Sequence, residues 1–258
     1  MTNHQAIERR VMDPSGTLDV HSIFYTIQGE GPFAGTPCVF VRLGGCNLQC
    51  PGCDTVYTDQ PGNPYKRKLY TAVELHKAVE DQFVERCART DKKLLVVITG
   101  GEPFRQNVSP FIRALIEHNY YVQVESNGTL PAPTDAGWNK HIHERDGAYL
   151  VCSPKTSKIS ATHANFACAF KYVMSHESSH PIDGLPIQAL ALDGGGKVAR
   201  PPEWFEGPIY LQPMDHTFSA RIGTKDWQNK KSIQACVDSC LKHGYTLQLQ
   251  IHKYIGVE

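Results

Sequence analysis

Seven short apolar runs punctuate this chain: Val39–Leu43, Leu94–Thr99, Tyr120–Glu125, Ala148–Cys152, Ala167–Val173, Ile209–Gln212 and Thr246–Ile251. Each has the length and composition of a strand. Stretches of helical period lie between several of them. Thr71–Arg89 spaces Val73, Leu75, Val79, Phe83 and Val84; Val108–His118 spaces Phe111, Ile112, Leu115 and Ile116; Ser232–His243 spaces Ile233, Val237 and Leu241. Strands alternating with helices restrict the fold to an α/β class with a mostly parallel sheet wound in βα units. A chain of 258 residues suits one large domain spanning 1–258 and buries enough surface to need no disulfide staples. Three segments rich in Pro, Gly and charge interrupt the rhythm as loop insertions: Asp59–Lys68, Leu130–Asp146 and Ser175–Pro208, the last with a short helix expected around Pro186–Leu192. The Gly194-Gly195-Gly196 run lacks the Lys and Ser/Thr of a phosphate loop and reads as a flexible turn.

Most of these strands end in a polar cluster. Val39–Leu43 runs into a cysteine loop; the next two end in Thr99-Gly100-Gly101-Glu102 and Glu125-Ser126-Asn127-Gly128-Thr129. Ser153-Pro154-Lys155 and Gln212-Pro213-Met214-Asp215 follow two more, and the last run carries Gln250, His252 and Lys253. Any one cluster is ordinary turn chemistry. Six in succession converge on one mouth, because the carboxyl ends of parallel strands share a face where active sites are built.

The charge balance, 26 basic against 26 acidic residues, shows no footprint for nucleic acid or an anionic membrane. The apolar runs fall well short of the ~20 residues that span a bilayer. The first residues lack the charged start and apolar core of a secretion signal, which points to the cytoplasm. Nine cysteines, an odd number, read as reduced thiols with a subset in metal chemistry. Cys46, Cys50 and Cys53 are spaced C-x3-C-x2-C, a spacing that can hold three corners of an iron–sulfur cube and leave the fourth iron open. Cys38, Cys152 and Cys168 read as small core residues, Cys236 and Cys240 as one helix face, and Cys87 as inert. His141 and His143 read as part of a solvated loop.

The cysteine spacing resembles that of the radical S-adenosylmethionine (SAM) superfamily, in which SAM chelates the open iron. Gly100-Gly101-Glu102 resembles the motif that holds the SAM amino group. Further stretches are Ile27-Gln28-Gly29-Glu30-Gly31, Gly35-Thr36-Pro37, Arg42-Leu43-Gly44-Gly45, Cys53-Asp54-Thr55 and Gln250-x-His252-Lys253-x-x-Gly256. Together they closely resemble the 7-carboxy-7-deazaguanine synthase family, ring-contracting radical SAM enzymes of the 7-deazapurine route to queuosine. That resemblance runs from about Phe24 to the end of the chain. It implies a partial radical-SAM-type (β/α)6 barrel, a homodimer, and a low-potential one-electron donor such as flavodoxin.

The resemblance also implies a reaction: 6-carboxy-5,6,7,8-tetrahydropterin becomes 7-carboxy-7-deazaguanine with loss of ammonia. A [4Fe-4S] cluster on Cys46, Cys50 and Cys53, SAM and Mg2+ would be the cofactors, with Thr55 placing its hydroxyl on Mg2+. SAM would meet Gly52, Asp54, Gly101, Glu102, Ser126, Asn127, Ser153, Pro154, Lys155, Gln212, Pro213, Met214 and Asp215. The pterin would meet Ile27, Gln28, Gly29, Glu30, Arg42, Thr99, Gln250, His252, Lys253 and Glu258, with the Arg42 fork suited to its carboxylate. Two other readings of the cysteines stay open: another radical SAM enzyme, such as a glycyl-radical activase, and a zinc or iron–sulfur module completed by a histidine. Arg42 in a structural ion pair and Glu30 as a turn cap are the plain alternatives for those two residues.

Overall fold

The computed structural model describes residues 3–87, 93–189, 197–216 and 225–257. A single nine-stranded sheet organises it, in the order β3-β1-β2-β4-β5-β6-β7-β8-β9. The strands are β1 (Leu18–Ile27), β2 (Pro37–Leu43), β3 (Lys68–Tyr70), β4 (Leu95–Gly100), β5 (Tyr121–Ser126), β6 (Ala148–Cys152), β7 (Ala167–Met174), β8 (Ile209–Pro213) and β9 (Thr246–Leu247). From β2 to β9 every pairing is parallel, whereas β1 runs antiparallel to both β2 and β3. The sheet's two ends, β3 and β9, are not paired to each other, so the barrel is partial, as the resemblance implied. Helices α1 (Ala72–Arg86), α2 (Ser109–Glu117), α3 (Ala161–Phe166), α4 (Lys225–His243) and α5 (Ile251–Ile255) accompany it. No described helix lies between β5 and β6 or between β7 and β8. Among the described residues no helix is long and apolar enough to cross a membrane.

Alternation along the strands separates two environments. Val39, Val41 and Leu43 of β2, Val96 and Ile98 of β4, and Val122 and Val124 of β5 pack with Leu75, Val79 and Phe83 of α1 and Phe111, Ile112 and Leu115 of α2. The intervening residues face the other way. At their amino ends Cys38, Leu95, Tyr121, Tyr149 and Ala169 form an apolar floor. Phe33, from a short turn after β1, closes that floor, its ring edge-on to Tyr121 and Tyr149 at 5.2 and 4.9 Å. Toward the carboxyl ends the same alternation presents Arg42, Thr99, Glu125, Ser153 and Lys171, so this face turns from oily to polar along the strands.

Several expectations need correction. β1 is absent from the sequence-based strands because three of its buried residues, His21, Ser22 and Thr26, are polar. β9 stops after two residues, and Gln250, His252 and Lys253 lie on the cap and first turn of α5, not on a strand. In α1 Val73 and Val84 face solvent, 80% and 75% exposed, and the packed stripe is Leu75, Val79 and Phe83. In α4 the buried face is Ser232, Cys236, Ser239 and Cys240, while Leu241 is 83% exposed. The described part of the helix expected at Pro186–Leu192 forms bridges, Ser179 with Pro186 and Gln188 with Lys197. Residues 190–192 of that expectation and Gly194–Gly196 lie outside the described residues.

Candidate active site

The cysteine loop leaves β2 and is strapped by the segment just after the start of the chain. Asn3 donates to the Cys50 carbonyl at 3.1 Å, and the Glu8 amide donates to the Cys46 carbonyl at 2.7 Å. Gln5, only 8% exposed, works with both ends of its amide: its Nε2 donates to the Thr55 carbonyl at 2.9 Å, and its Oε1 accepts from the Tyr57 amide at 2.8 Å. On the other side Gly100, ending β4, and Gly101 after it let backbones touch. A Cβ on Gly101 would lie 1.9 Å from the Gly45 carbonyl oxygen, and one on Gly100 would lie 2.2 Å from that of Leu43. The pair therefore lets the end of β4 approach β2 and the start of the cysteine loop, and both glycines also line the cavity described below.

Burial pushes the Cys46 thiol up to about 12 and the Cys53 thiol up to about 11, and raises Cys50 as well. Thiols in such surroundings keep their protons until a metal displaces them. Among the described residues no trio of His, Cys, Asp or Glu is drawn together closely enough to hold a lone metal ion. The three thiols instead border a cavity of ≈ 320 Å³ at the carboxyl edge of the sheet. Three sulfur donors beside a cavity suit a cluster with one open iron.

That cavity gathers residues from β2, β4, β5, β7 and β8, from the loop after β6 and from the last segment of the chain. Ile27, Gln28, Gly29, Glu30, Arg42 and Thr99 line it, with Gly52, Asp54 and Thr55 beside the cysteines. Gly101, Ser126, Asn127, Ser153 and Lys155 line a further stretch, as do Gln212, Met214, Asp215, Gln250, His252 and Lys253. Glu102, Pro154 and Pro213 are expected site residues that do not line it, and Glu258 lies outside the described residues. Glu102 is fully buried, accepting from Ser126 Oγ and the Asn127 amide at 2.8 Å each and from the Phe104 amide at 3.1 Å. Burial lifts its carboxyl to about 7, with those hydrogen bonds opposing the rise.

The polar end is held by a charge cluster that motif reasoning missed. Lys171 of β7 is in close contact with Glu30 and lies 3.0 Å from Glu125 of β5. Gln28 and Gln123 each donate to Glu125, at 3.0 and 2.7 Å, and Gln250 donates to Glu30 at 2.7 Å. Burial alone would raise the Glu30 carboxyl, but the Lys171 ammonium overrides it and draws the group down to about 2. The two carboxylates correspondingly hold Lys171 protonated against its own burial. Further out, Lys253 pairs with Asp215 at 2.8 Å and approaches Asp54 at 3.8 Å. The Arg42 guanidinium stacks 5.1 Å from the Phe24 ring centroid. Lysine inside a buried apolar strand was the one signal that could have found Lys171.

Residues 27–129 match the 4Fe-4S single cluster domain. A solved structure titled "Crystal structure of QueE from Escherichia coli" superposes with a TM-score of 0.62 at 21% identity, covering 90% of this chain and 93% of that one. The 4Fe-4S match, the partial parallel barrel with the cysteine loop at its carboxyl edge and the relatives that follow together make this a radical SAM enzyme that uses a [4Fe-4S] cluster and SAM. Relatives named 7-carboxy-7-deazaguanine synthase share this chain nearly end to end. One from Rhodospirillum rubrum is 37% identical over 243 residues, 93% of either chain, and one from Rickettsia prowazekii is 32% identical over 97% of this chain and 94% of its own. The chain belongs to the 7-carboxy-7-deazaguanine synthase family.

Proposed function

We propose that this chain converts 6-carboxy-5,6,7,8-tetrahydropterin to 7-carboxy-7-deazaguanine with loss of ammonia. The observation that carries this is one cavity with three thiols at one wall and the Glu30–Lys171–Glu125 cluster at another. When bound to Cys46, Cys50 and Cys53, the cluster together with SAM supplies the radical that starts the chemistry. The protein's own groups bind, orient and exclude water. Glu30, kept ionised by Lys171, accepts from the amidine edge of a pterin, and Gln28 offers an amide to the same edge. Arg42 clamps the substrate carboxylate with its fork of donors. Thr99, Gln250, His252, Lys253 and the backbone of Ile27 and Gly29 complete that half.

SAM lies against Gly52, Asp54, Gly101, Ser126, Asn127, Ser153 and Lys155, with its adenine along Gln212–Asp215. Lys155 is tethered to Ser153, its Nζ donating to Ser153 Oγ at 2.6 Å, and burial lowers its pKa. Thr55 sits at the cavity wall with its hydroxyl donating to Asp54 at 3.4 Å, and we assign it the Mg2+ ion. A one-domain cytoplasmic homodimer served by a flavodoxin-like donor completes the proposal. The test is anaerobic reconstitution with counting of iron and sulfide, then turnover with SAM, reductant and carboxytetrahydropterin. Iron-complete, SAM-binding protein that leaves the pterin unconsumed would overturn it.

A further inference from the structure

A chain of polar side chains runs from α3 into the wall of the cavity. His163, fully buried, stands between two hydroxyls: its Nδ1 lies 2.8 Å from Ser160 Oγ, and its Nε2 lies 2.9 Å from Ser126 Oγ. Ser126 in turn donates to Glu102 at 2.8 Å and accepts from the Gly128 amide at 3.2 Å. The Phe104 ring stands edge-on to the imidazole at 5.4 Å and fixes its plane. Only Ser126 among these four side chains borders the cavity, with Asn127 next to it.

With Glu102 ionised, one proton order along this chain satisfies every contact. Glu102 takes three donors, an arrangement that its ionised form meets with acceptors alone. A serine hydroxyl has one proton, and Ser126 gives it to Glu102. Nε2 of His163 must then be the donor toward Ser126. Burial favours the neutral ring, moving its pKa down to about 4. A neutral ring with hydrogen on Nε2 leaves Nδ1 an acceptor, so Ser160 donates to it. In this order every ring nitrogen has a partner, Ser160 Oγ also lies 3.0 Å from Thr162 Oγ1, and Ser126 is saturated.

We propose that His163 is a positioning residue for SAM: its Nε2–H holds the Ser126 hydroxyl on Glu102, which keeps the Ser126–Asn127 backbone set for the nucleoside. This rests on the assignment of Ser126 and Asn127 to the SAM wall. Glu102 thereby acts on SAM through its neighbours, in keeping with its absence from the cavity surface. The imidazole is the only member of the chain supplied by α3 as a ring, and its rigidity transmits the cap of that helix to the wall.

The test compares His163→Phe, which keeps the ring's packing and has no donor, with His163→Gln, whose amide can replace Nε2–H. Equilibrium dialysis measures SAM binding to iron-complete protein, and steady-state kinetics measure the pterin KM. The Phe variant is expected to bind SAM roughly tenfold more weakly, the loss of one hydrogen bond on a charged network. The Gln variant should recover to within about threefold, and the pterin KM should stay unchanged in both. Histidine 15N shifts of wild-type holoprotein should show the Nε2–H tautomer at His163, and this holds whether or not SAM is bound. An iron-complete Phe variant that binds SAM like wild type overturns the proposal. So does a Gln variant no better than Phe, or an Nδ1–H tautomer. If the Phe variant cannot hold iron, the tautomer measurement decides alone. Wild-type holoprotein that fails to bind SAM would defeat the SAM-wall assignment itself, a result readily told apart from the other three.

Discussion

Replacing Lys171 with methionine removes one ammonium from between two carboxylates and keeps most of the side chain's volume. Glu30 then loses the partner that draws it from its ordinary 4.5 down to about 2, a displacement worth about 3 kcal/mol. Glu125 loses its ammonium in the same step, so the total cost is on the order of 3–5 kcal/mol, the range for stranding one side of a buried ion pair. The folded Glu30 carboxyl releases its proton more readily than the unfolded one. Its stabilisation is therefore complete above about pH 4.5 and is lost as pH falls toward about 2. Anaerobic urea unfolding of wild type and Lys171→Met should show the full gap at pH 7 and a gap shrinking below roughly 1 kcal/mol only near pH 2. The pterin KM should rise more than about tenfold, because Glu30 no longer presents a reliable acceptor, and Lys171→Arg should recover part of both losses. A variant as stable as wild type at pH 7, or a gap indifferent to pH, would refute this account of the cluster.

Gly101→Ala pushes a methyl against the Gly45 carbonyl at 1.9 Å with no side chain able to yield. It should cost about 3 kcal/mol and most of the iron retained after reconstitution, read by iron assay and thermal melting. Cys53→Ser should abolish cluster absorbance, while Cys240→Ala, on the buried face of α4, should keep it; equal loss from both would sink the assignment of the three ligands. A Cβ on Gly29 would meet His252 Nδ1 at 2.1 Å, so Gly29→Ala should displace α5 and raise the pterin KM by roughly tenfold with a modest effect on melting. Chelation of divalent cations should lower turnover in wild type and have no further effect on Thr55→Val, measured with and without added Mg2+.

What could be read from the sequence followed local chemistry. The six parallel strands from β2 to β8 were legible because their burial on both faces makes continuous apolar runs. β1 was not, since His21, Ser22 and Thr26 break its pattern while being 2–6% exposed. The thiol loop was legible from spacing alone. Gln5 was not, because a lone glutamine near a chain's start carries no pattern until its amide is seen satisfying the loop after Cys53. Lys171 and Glu30 meet across 141 positions, and His163 reaches Ser126 across 37, so neither partnership leaves a trace in a short window. Glu102 was legible as a glutamate that matters, though its placement behind the wall depends on packing that only the fold supplies.

The sheet's open circumference has a consequence for traffic. Across the gap the chain's last segment is stitched to the turn after β1: Gln248 accepts from the Gly31 amide, Gln250 reaches Glu30, and the Ile251 amide donates to Gly29 at 3.3 Å. Those are a handful of isolated bonds where a closed cylinder would have a full ladder. Parting such a seam would unzip no strand, so a bulky guest is expected to enter from this side, over a floor that stays shut. Amide exchange faster at 248–257 than along β4 and β5, and slowed when the cavity is filled, is the signature of such an entry.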